Sequence, residues 1–358
     1  MKGMILNMNK IKVGVIFGGM STEHDVSNVS GTSVIQNLNR EKYEIYPIYI
    51  SKDGKWFNYI KSVEEIKILQ IGEEPQELDE IKNPLDFLKK LDVIFPVLHG
   101  LYGEDGTIQG LFELINVPYV GCKLLGACNS MDKVYTKIIL DKAKIRQVKY
   151  VYIRKNKDAY IYVDEEFNET TLSLNEISEK ISKKIDFPVF VKPSNSGSSV
   201  GIKKASNIDE LKKAIEFASK YDAKILIEQG IDARELECGI LGNEDVAASC
   251  VGEILPAEEF YSYDAKYKND DSRVVIPANI TQKQANEIRH TAMKAFKALN
   301  AKGLSRVDFF IDRKTKEIYL NEINTMPGFT EISMYPKLWE ESGISYGELL
   351  DKLISLAM

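Results

Sequence analysis

Cysteine is scarce in this sequence, and its cysteines show no pattern typical of a metal site or a disulfide framework. Only four cysteines occur in 358 residues, at Cys122, Cys128, Cys238 and Cys250, and none of them forms a C-x-x-C pair. Their neighbours are mostly apolar or small, which is typical of buried thiols in a reducing compartment. The sequence therefore argues against a zinc finger and against a disulfide-rich secreted scaffold.

Long hydrophobic runs are also missing from the sequence. No apolar stretch approaches the roughly 18–20 residues that a membrane-spanning helix needs. The first residues, MKGMILNMNKIKVGVIF, are interrupted by asparagine and lysine where a signal peptide needs a continuous apolar core. We therefore expect a cytoplasmic protein that does not associate with a membrane.

The sequence has no excess of positive charge. Its 47 Lys and Arg residues against 53 Asp and Glu residues give a net charge of -6. Without a global positive field we expect no nucleic acid partner. Hydrophobic residues make up 44% of the sequence and charged residues 28%, which is typical of a soluble globular protein. The length of 358 residues predicts two or three domains.

The first third of the chain alternates between strand-like and helix-like segments. A β-branched apolar run at 12–17 precedes a glycine turn, and apolar residues then recur at helical spacing. Further strand-like runs lie at 44–50, 92–98 and 117–121, with a helical segment at 108–115. This alternation predicts an α/β domain with a parallel sheet over residues 1–121. The acidic, weakly periodic segment 60–91 should be an exposed excursion with a short helix.

A second domain, of α+β type, is expected over residues 122–227. A helix should begin within the segment MDKVYTK, with Asn129 or Ser130 as its N-terminal cap. Two strands should flank the loop SNSGSS, and a helix over 208–218 should follow them.

The third unit is also expected to be α+β, and we assign it to residues 228–358. The strand KILIEQ, at 224–229, should begin it. A long helix at 281–299 and a hairpin at 303–324 should follow. Between them and the first strands lies a long polar loop at 256–275, which is a candidate lid.

The hairpin carries the clearest chemical pattern in the sequence. Strict alternation places Arg306 with Asp308, and Glu322 with Asn324, on one face of the two strands. The expected turn would set Asp308 roughly opposite residue 320 and make Glu322 a diagonal neighbour at about 7–8 Å. Oxygen ligands without histidine or cysteine suit Mg²⁺. The alternative is an ordinary solvated sheet face.

A loop rich in glycine and serine follows the strand that ends near Lys192. The segment 194–201 offers N–H groups and hydroxyls to phosphate oxygens, with the Lys192 charge nearby. Its spacing is not that of a P-loop. A flexible hairpin turn explains the same composition equally well.

Two further polar residues follow strands of the first domain, where open α/β sheets bind ligands. Glu23 lies in the turn after the first strand, and it either stabilises the dipole of the following helix or pairs with a substrate ammonium. His99 ends a later strand in a glycine-rich turn, and it is one of only three histidines. A structural histidine remains an alternative reading there.

Two lysines and one strand end indicate a binding site only in combination with other motifs. Lys133 and Lys137 on a helix would ordinarily be solvated surface charges. Glu228 and the backbone that leaves its strand, from Gln229 to Ile231, could form a hinge that reads an adenine edge. A plain strand end is the stronger interpretation when that segment is taken alone.

Taken together, these segments resemble the ATP-grasp ligases, and among them the D-alanine-D-alanine ligase family. The resemblance covers almost the whole chain and depends on several ordered motifs, which are GGMSTEHDVS, HGLYGEDGTIQG, SMDK, VKPSNSGSSVG, ELECGILG, YDAKY, SRVDFF and NEINTMPGFTEISMYP. It implies an ATP-grasp fold preceded by a Rossmann-like domain. It also implies ATP-dependent joining of two D-alanine molecules for peptidoglycan synthesis.

The resemblance implies ligands for the nucleotide and for metal ions. The residues that would bind ATP are Lys133 and Lys192 at the phosphates, Glu228, Gln229 and Ile231 at the adenine, and Glu235 at the ribose. Those that would bind two Mg²⁺ ions, for which Mn²⁺ could substitute, are Asp308, Glu322 and Asn324.

The resemblance also implies roles around the two D-alanine molecules. The first would be bound through its ammonium by Glu23, beside His99, with Ser198 and Tyr267 completing a hydrogen-bonded bridge to the lid. The second would meet Arg306 and Ser333, the oxyanion would meet Arg306 and the Gly328 N–H, and Lys266 would reach the transferred phosphate.

Three readings of the function remain open at this point. The first is D-alanyl-D-alanine synthesis, and the second is a sibling ligase that uses D-serine or D-lactate as its second substrate. The third is a non-catalytic module that binds nucleotide or amino acid. The family also implies a homodimer, to which the apolar helix within 108–115 could contribute.

Overall fold

The computed structural model describes residues 10–255 and 273–358, and it contains three sheets with helices packed against them. The first sheet has the strand order β4-β3-β2-β1-β5. Its strands are β1 (Ile11–Gly18), β2 (Tyr43–Ile50), β3 (Trp56–Tyr59), β4 (Leu78–Glu80) and β5 (Val93–Pro96). Strand β1 pairs in parallel with β2 and with β5, so the predicted parallel sheet is confirmed.

Three helices accompany the first sheet, α1 (His24–Asn37), α2 (Pro84–Leu88) and α3 (Thr107–Ile115). The predicted excursion, 60–91, differs from a plain exposed loop, because β4 within it pairs antiparallel with β3 before the predicted short helix α2. The strand predicted at 117–121 is reduced to one parallel bridge between Ile94 and Tyr119.

The second sheet is antiparallel, with the order β10-β9-β11-β6-β7-β8. Its strands are β6 (Tyr150–Asn156), β7 (Ala159–Val163), β8 (Glu169–Leu172), β9 (Val189–Pro193), β10 (Lys203–Ala205) and β11 (Lys224–Gln229). The predicted pairing around SNSGSS is confirmed, since β9 pairs with β10. The strand at 224–229, however, lies at the centre of this sheet between β9 and β6, so the prediction that it begins the third unit is wrong.

The helices of the second unit are α4 (Leu124–Met131), α5 (Lys133–Lys142), α6 (Leu174–Ser182) and α7 (Ile208–Ala218). The helix predicted over 208–218 is confirmed, and Asn207 caps it. The cap predicted at Asn129 or Ser130 is wrong, because both residues lie inside α4. The cap of α5 is Asp132, whose side chain accepts hydrogen bonds from the N–H groups of Val134 and Tyr135.

The third sheet is antiparallel, with the order β14-β13-β12-β15-β16. Its strands are β12 (Ala233–Gly242), β13 (Val246–Leu255), β14 (Arg273–Val275), β15 (Gly303–Asp312) and β16 (Ile318–Asn324), and its helices are α8 (Gln282–Ala298), α9 (Met334–Glu341) and α10 (Tyr346–Ala357). Of the predicted lid loop, 256–275, residues 256–272 lie outside the described part of the chain. The last three residues, 273–275, form the edge strand β14.

The first and third units share one hydrophobic core. Valines and Phe17 of β1 belong to the same buried cluster as Phe329, Tyr335 and Trp339, which follow β16. Burying aromatic residues of this size dominates the packing energy of such a contact. The carboxyl edge of the first sheet is thereby held beside the loop that follows β16.

Candidate active site

A cavity of about 970 Å³ lies between the three sheets. Every predicted site residue within the described part of the chain lines it, namely Glu23, His99, Lys133, Lys192, Ser198, Glu228, Gln229, Ile231, Glu235, Arg306, Asp308, Glu322, Asn324, Gly328 and Ser333. Lys266 and Tyr267 lie outside the described residues. Residues from widely separated segments are thus brought together, as the motifs predicted.

The register of the β15–β16 hairpin differs from the predicted one. Asp308 pairs directly with Glu322, and Arg306 pairs with Asn324. The pairing is shifted by two residues from the expected one. A bulge after Asp308 contributes one of them, and the turn contributes the other, because Phe309 pairs with Leu320 rather than with residue 319. Directly opposite side chains on one face approach more closely than diagonal ones do. This shift therefore brings the two carboxylates nearer to each other than strict alternation predicts.

Arg306 connects two carboxylates at the centre of the cavity. Its Nε and Nη2 donate to the two carboxylate oxygens of Asp308, each at 2.8 Å. Its Nε also lies 2.9 Å from an oxygen of Glu237. Burial alone would lower the pKa of Arg306, but Asp308 and Glu237 raise it well above its usual value. The guanidinium is therefore fixed in position and permanently charged.

Glu237 is a site residue that the sequence reasoning missed. It is buried, and on β12 it pairs directly with Asp308 of β15. Alternation places it on the same strand face as Glu235, two residues earlier. The spacing E-x-E in ELECGILG was the signal that could have found it.

The serine-rich loop reaches from the second sheet to the first. Lys133 Nζ donates to the Ser196 carbonyl oxygen at 2.5 Å, and Ser198 Oγ donates to Glu23 Oε1 at 2.5 Å. Ser198 and Ser199 have positive φ angles of 48° and 60°, a region that residues other than glycine rarely occupy. This backbone is held by the contacts at Ser196 and Ser198, which connect the loop to Lys133 and to Glu23.

Glu23 is buried just before α1, but it does not cap that helix by a side-chain hydrogen bond. Instead its carboxylate fills a space bounded by two glycines. A Cβ at Gly100 would lie 2.4 Å from Glu23 Oε2, and one at Gly197 would lie 2.8 Å from it. The carboxylate thus turns away from the helix and toward the loops, which favours the ligand-binding reading over the helix-dipole reading.

His99 holds two loops together within the protein. Its Nδ1 lies 2.9 Å from the Met326 carbonyl oxygen, and its Nε2 lies 3.0 Å from Ser30 Oγ. Burial lowers the pKa of His99, so the neutral ring is favoured. A neutral ring that donates from Nδ1 and accepts at Nε2 satisfies both partners. His99 therefore lies beside Glu23 as a residue that positions the 326 loop.

Glu104 is a second residue that the sequence reasoning missed, although it lies in the motif HGLYGEDG. Its two carboxylate oxygens accept hydrogen bonds from the N–H groups of Gly100 and Met326, each at 2.9 Å. Burial, together with the charge of Glu23, raises the pKa of Glu104 to about 7. Glu104 therefore joins the loop after β5 to the loop after β16, next to Glu23.

The loop after β16 is fixed by short polar contacts. Thr330 N–H donates to Ser333 Oγ at 3.1 Å, and the hydroxyls of these two residues are 2.8 Å apart. A Cβ at Gly328 would lie 3.1 Å from Ser333 Oγ. Gly328 therefore allows the backbone to approach Ser333 closely, at the end of the cavity near Arg306.

The opposite end of the cavity contains a carboxylate between two lysines. Glu228 Oε1 lies 2.6 Å from Lys137 Nζ, and Oε2 lies 2.5 Å from Lys192 Nζ. Burial would raise the pKa of Glu228, but the two lysines lower it to about 2. The expectation that Lys137 is a solvated surface charge is wrong, because this residue is only 2% exposed. Its spacing of four residues from Lys133 was the available signal.

The segment predicted as an adenine hinge leaves β11 beside this group of charges. Gln229 N–H donates to the Lys149 carbonyl oxygen at 2.9 Å, and Gly230 N–H donates to the Pro188 carbonyl oxygen at 2.8 Å. These bonds fix the strand end, and Ile231 follows on the cavity wall. The hinge is therefore part of the cavity rather than a plain exposed strand end.

A separate polar cluster supports the turn that carries Glu23. His24, Asp25 and Glu74 place possible metal-ligand atoms within 4.8 Å of one another. Lys52 already supplies a positive charge there, at 2.9 Å from Asp25 and 3.3 Å from Glu74. Burial would raise the pKa of Glu74, but hydrogen bonds from Tyr49 and His24 lower it. The cluster fastens the excursion to the start of α1.

Comparisons with known proteins identify the family to which this site belongs. The family described as D-ala D-ala ligase N-terminus matches residues 12–122, and the one described as D-ala D-ala ligase C-terminus matches residues 139–355. The chain belongs to the D-alanine-D-alanine ligase family. The resemblance found in the sequence motifs is therefore confirmed.

Individual relatives match along almost their whole length. The D-alanine-D-alanine ligase of Acetivibrio thermocellus is 49% identical, over 98% of this chain and 96% of that protein. The crystal structure of the VanG D-Ala:D-Ser ligase from Enterococcus faecalis is 35% identical, with a TM-score of 0.83 over 98% of this chain and 100% of that one. The D-alanine-D-alanine ligase structure from Coxiella burnetii is 31% identical, with a TM-score of 0.80 over 97% and 95% of the two chains. The predicted fold class, an ATP-grasp fold preceded by a parallel-sheet domain, is confirmed.

Among the described residues, the longest helix is α8, and no helix of this part of the chain is long and apolar enough to cross a membrane.

Proposed function

We propose that this protein joins two D-alanine molecules into D-alanyl-D-alanine, using ATP, to supply a precursor of peptidoglycan. The observation that carries the proposal is the single cavity that unites the buried Glu228 group with the Arg306 centre and with Glu23. The residues proposed for the nucleotide, for the transfer chemistry and for the substrate ammonium therefore line one cavity. Relatives that are 49% identical over nearly the whole chain bear the name of this activity.

The nucleotide would lie against the β9–β11 end of the cavity. Lys133 and Lys192 supply cations for its phosphates, since lysine serves as a compact point charge in such sites. The charged Glu228 carboxylate can accept a hydrogen bond from an exocyclic amine, which adenine has. The segment from Gln229 to Ile231 would provide backbone contacts to the base.

The donor set of the hairpin fits magnesium. Asp308, Glu322 and Asn324 offer two carboxylates and an amide oxygen from neighbouring positions of β15 and β16, and hard oxygen donors are those that Mg²⁺ prefers. Two bound Mg²⁺ ions would neutralise developing charge on the phosphates. Both oxygens of Asp308 accept hydrogen bonds from Arg306, and Glu237 would remain as a second anion beside the guanidinium if Asp308 bound a metal ion.

The first chemical step activates a carboxylate. The carboxylate of the first D-alanine attacks the terminal phosphorus of ATP, a C–O–P linkage forms, and ADP leaves. Glu23 holds the ammonium of that D-alanine, while Ser198 orients the Glu23 carboxylate. Lys266 would reach the transferred phosphoryl group. The product of this step is D-alanyl phosphate.

The second step forms the peptide bond. The free amine of the second D-alanine attacks the acyl carbon, and inorganic phosphate leaves as the tetrahedral centre collapses. Arg306 and the Gly328 N–H stabilise the negative oxygen of that centre. Arg306 and Ser333 also bind the carboxylate of the second D-alanine, so the incoming amine is held toward the acyl phosphate.

Water must be excluded while the acyl phosphate exists. The proposed lid is the segment 256–275, with Tyr267 as the residue that meets Ser198 and completes the bridge to Glu23. Hydrogen exchange of this segment with and without ATP, Mg²⁺ and a phosphinate inhibitor tests the proposal. Equal protection in both states would contradict it.

A competition assay tests the proposed reaction and its second substrate together. The purified enzyme is given ATP, Mg²⁺ and equal concentrations of D-alanine, D-serine and D-lactate, and the products are separated by mass. D-alanyl-D-alanine should dominate near neutral pH, and phosphate release should require D-alanine. Phosphate release without any dipeptide would contradict the proposal.

The same assay also tests the sibling reading, because one structural neighbour is named as a D-Ala:D-Ser ligase. The wall near Ser333 is formed by Met334, which packs with Ile254 and Leu338. A serine hydroxyl buried against this wall without a partner would cost on the order of 1–3 kcal/mol, or roughly 5- to 150-fold in selectivity. Mainly D-alanyl-D-serine in the competition assay would favour the sibling reading.

A homodimer is part of the proposal, with α3 as one element of its interface. Leu114 on this helix is 86% exposed, and Leu101 and Leu125 nearby in sequence are also exposed. Contiguous exposed apolar patches are typical of protein interfaces, and an interface over α3 would cover Leu114. Sedimentation of the wild type and of Leu114→Glu should give a dimer and a monomer respectively, and a monomeric wild type would contradict the proposal.

A further inference from the structure

Lys137 is a buried lysine for which the proposed reaction so far has no use. Its side chain is 3% exposed, and its Nζ lies 2.6 Å from Glu228 Oε1 and 5.1 Å from the centre of the Tyr150 ring. A buried ammonium remains charged only where a partner offsets its lost hydration. The carboxylate of Glu228 is that partner, and the Tyr150 ring adds a weaker attraction.

Glu228 is shared between two lysines that both line the cavity but differ in exposure. The side chain of Lys192 is 14% exposed, whereas that of Lys137 is 3% exposed. Lys192 and Glu228 are diagonal neighbours across β9 and β11, since Lys192 pairs with Leu226. Lys137 approaches Glu228 from α5 instead. Lys192, the more exposed of the two, is therefore freer to turn further into the cavity, whereas the more deeply buried Lys137 stays beside Glu228.

The proposed nucleotide site requires this group of charges to rearrange. Lys192 is expected at the phosphates and Glu228 at the adenine, but in the structure their charged atoms lie 2.5 Å apart. If Lys192 were the only cation beside Glu228, its departure would leave a buried carboxylate without a partner, which is strongly unfavourable. Lys137 Nζ lies 2.6 Å from Glu228 Oε1, so Lys137 can keep this carboxylate paired after Lys192 moves away. The group is therefore built with one cation that can leave and one that stays.

We propose that Lys137 is a positioning residue, which remains beside Glu228 as its counter-ion so that Lys192 can move from Glu228 to the phosphates of the nucleotide. This inference deepens the proposed function and rests on its ATP site. Lys137 touches neither the phosphates nor the base in this arrangement. Its effect on ATP passes through Lys192.

The first experiment compares the binding of ATP and of adenosine by titration calorimetry. Lys137→Met keeps the side-chain volume and leaves Glu228 paired with Lys192, so the fold should persist. Lys192 then stays at Glu228, and ATP binding should weaken on the order of 10- to 100-fold, which is the range for a lost hydrogen bond to a charged group. Adenosine has no phosphates, and its affinity should change much less.

The controls separate this mechanism from a general weakening of the protein. Lys142→Met, at an exposed position of the same helix, should bind both ligands as the wild type does. Lys137→Arg, which keeps the charge, should restore much of the affinity for ATP. Equal losses for ATP and adenosine in Lys137→Met would overturn the inference, because they would indicate contact with the base or a damaged site. Unchanged ATP affinity would overturn it as well.

A double variant tests the counter-ion argument directly. Glu228→Gln removes the charge that Lys137 balances, so Lys192 is no longer held when Lys137 is absent. The double variant Lys137→Met with Glu228→Gln should therefore bind ATP more tightly than Lys137→Met alone. Additive losses would refute the proposal. A wild type that binds no ATP would instead refute the proposed function, so the two failures can be told apart.

Discussion

A single methyl group at Gly100 should disable the binding of the first D-alanine while leaving the fold largely intact. Gly100 has a φ of +70°, and a Cβ there would lie 2.4 Å from Glu23 Oε2. The backbone conformation costs an L-residue about 1–2 kcal/mol. The overlap itself is relieved by moving the end of the Glu23 side chain, which is cheap in stability but displaces the carboxylate from the ammonium site.

Gly72→Ala is a matched control for the backbone term alone. Gly72 has a φ of +86°, and a Cβ there would have no neighbour within 4 Å. Both variants should therefore lose a similar, small amount of thermal stability. Only Gly100→Ala should raise KM for the first D-alanine, by about 10- to 100-fold, since a hydrogen bond to a charged group contributes about 1.5–3 kcal/mol.

The assay is a steady-state measurement of phosphate release over a range of D-alanine concentrations, with thermal unfolding of the three proteins measured in parallel. The comparison depends on KM and not on activity alone, because a partly unfolded enzyme would lower the apparent turnover number without changing KM. If Gly100→Ala kept a wild-type KM, the contact between Gly100 and Glu23 would have no bearing on substrate binding, and the reasoning would be refuted.

The remaining predictions concern three acids. Asp308→Asn should abolish turnover with the melting temperature retained, and Mg²⁺ titration by calorimetry should show weakened binding, whereas wild-type binding would contradict the metal assignment. The pKa of Glu104 is raised from 4.5 to about 7 in the folded protein, so between these pH values Glu104 is protonated in the folded state but ionised in the unfolded chain. Its contribution to the free energy of unfolding therefore falls as the pH rises from 4.5 to about 7. The melting temperature of Glu104→Gln minus that of the wild type should therefore increase over this pH range. A difference that does not change with pH would contradict the raised pKa of Glu104. Glu74→Gln should raise KM for D-alanine a few-fold at unchanged KM for ATP; equal changes in both would indicate general damage.

The regular elements could be predicted because local signals agreed with the final packing. The helix over 208–218 has apolar residues at helical spacing and a strong cap in Asn207, and the structure reproduces its bounds. The position of the strand at 224–229 could not be predicted in the same way. Its pairing with β9 and β6 depends on distant segments, so its sequence gives its conformation but not its sheet.

The candidate metal hairpin shows how far alternation alone can be extended. Alternation correctly placed Arg306, Asp308, Glu322 and Asn324 on one face, because the apolar residues between them fill the core behind the sheet. It gave the wrong register by two residues, since the turn shifts the pairing by one residue and a bulge in β16, which no residue of that strand signals, shifts it by one more. The residue types of the site were therefore predictable, but the distance between its two carboxylates was not.

The residues that sequence reasoning missed share a physical cause. Lys137 and Glu237 are charged side chains whose burial is tolerated only because Glu228 and Arg306, from distant segments, lie against them. Glu104 is a carboxyl group whose pKa is raised by burial and by Glu23, again from a distant segment. A charged residue on a helix or strand is usually solvated, so taken alone each favours the surface reading. Two of the three show a weak local signal, because Lys137 follows Lys133 by one helical turn and Glu237 follows Glu235 by one strand period. A repeat of like charges at the spacing of one face, inside a motif already assigned to a site, therefore indicates a charged wall of that site rather than a solvated surface.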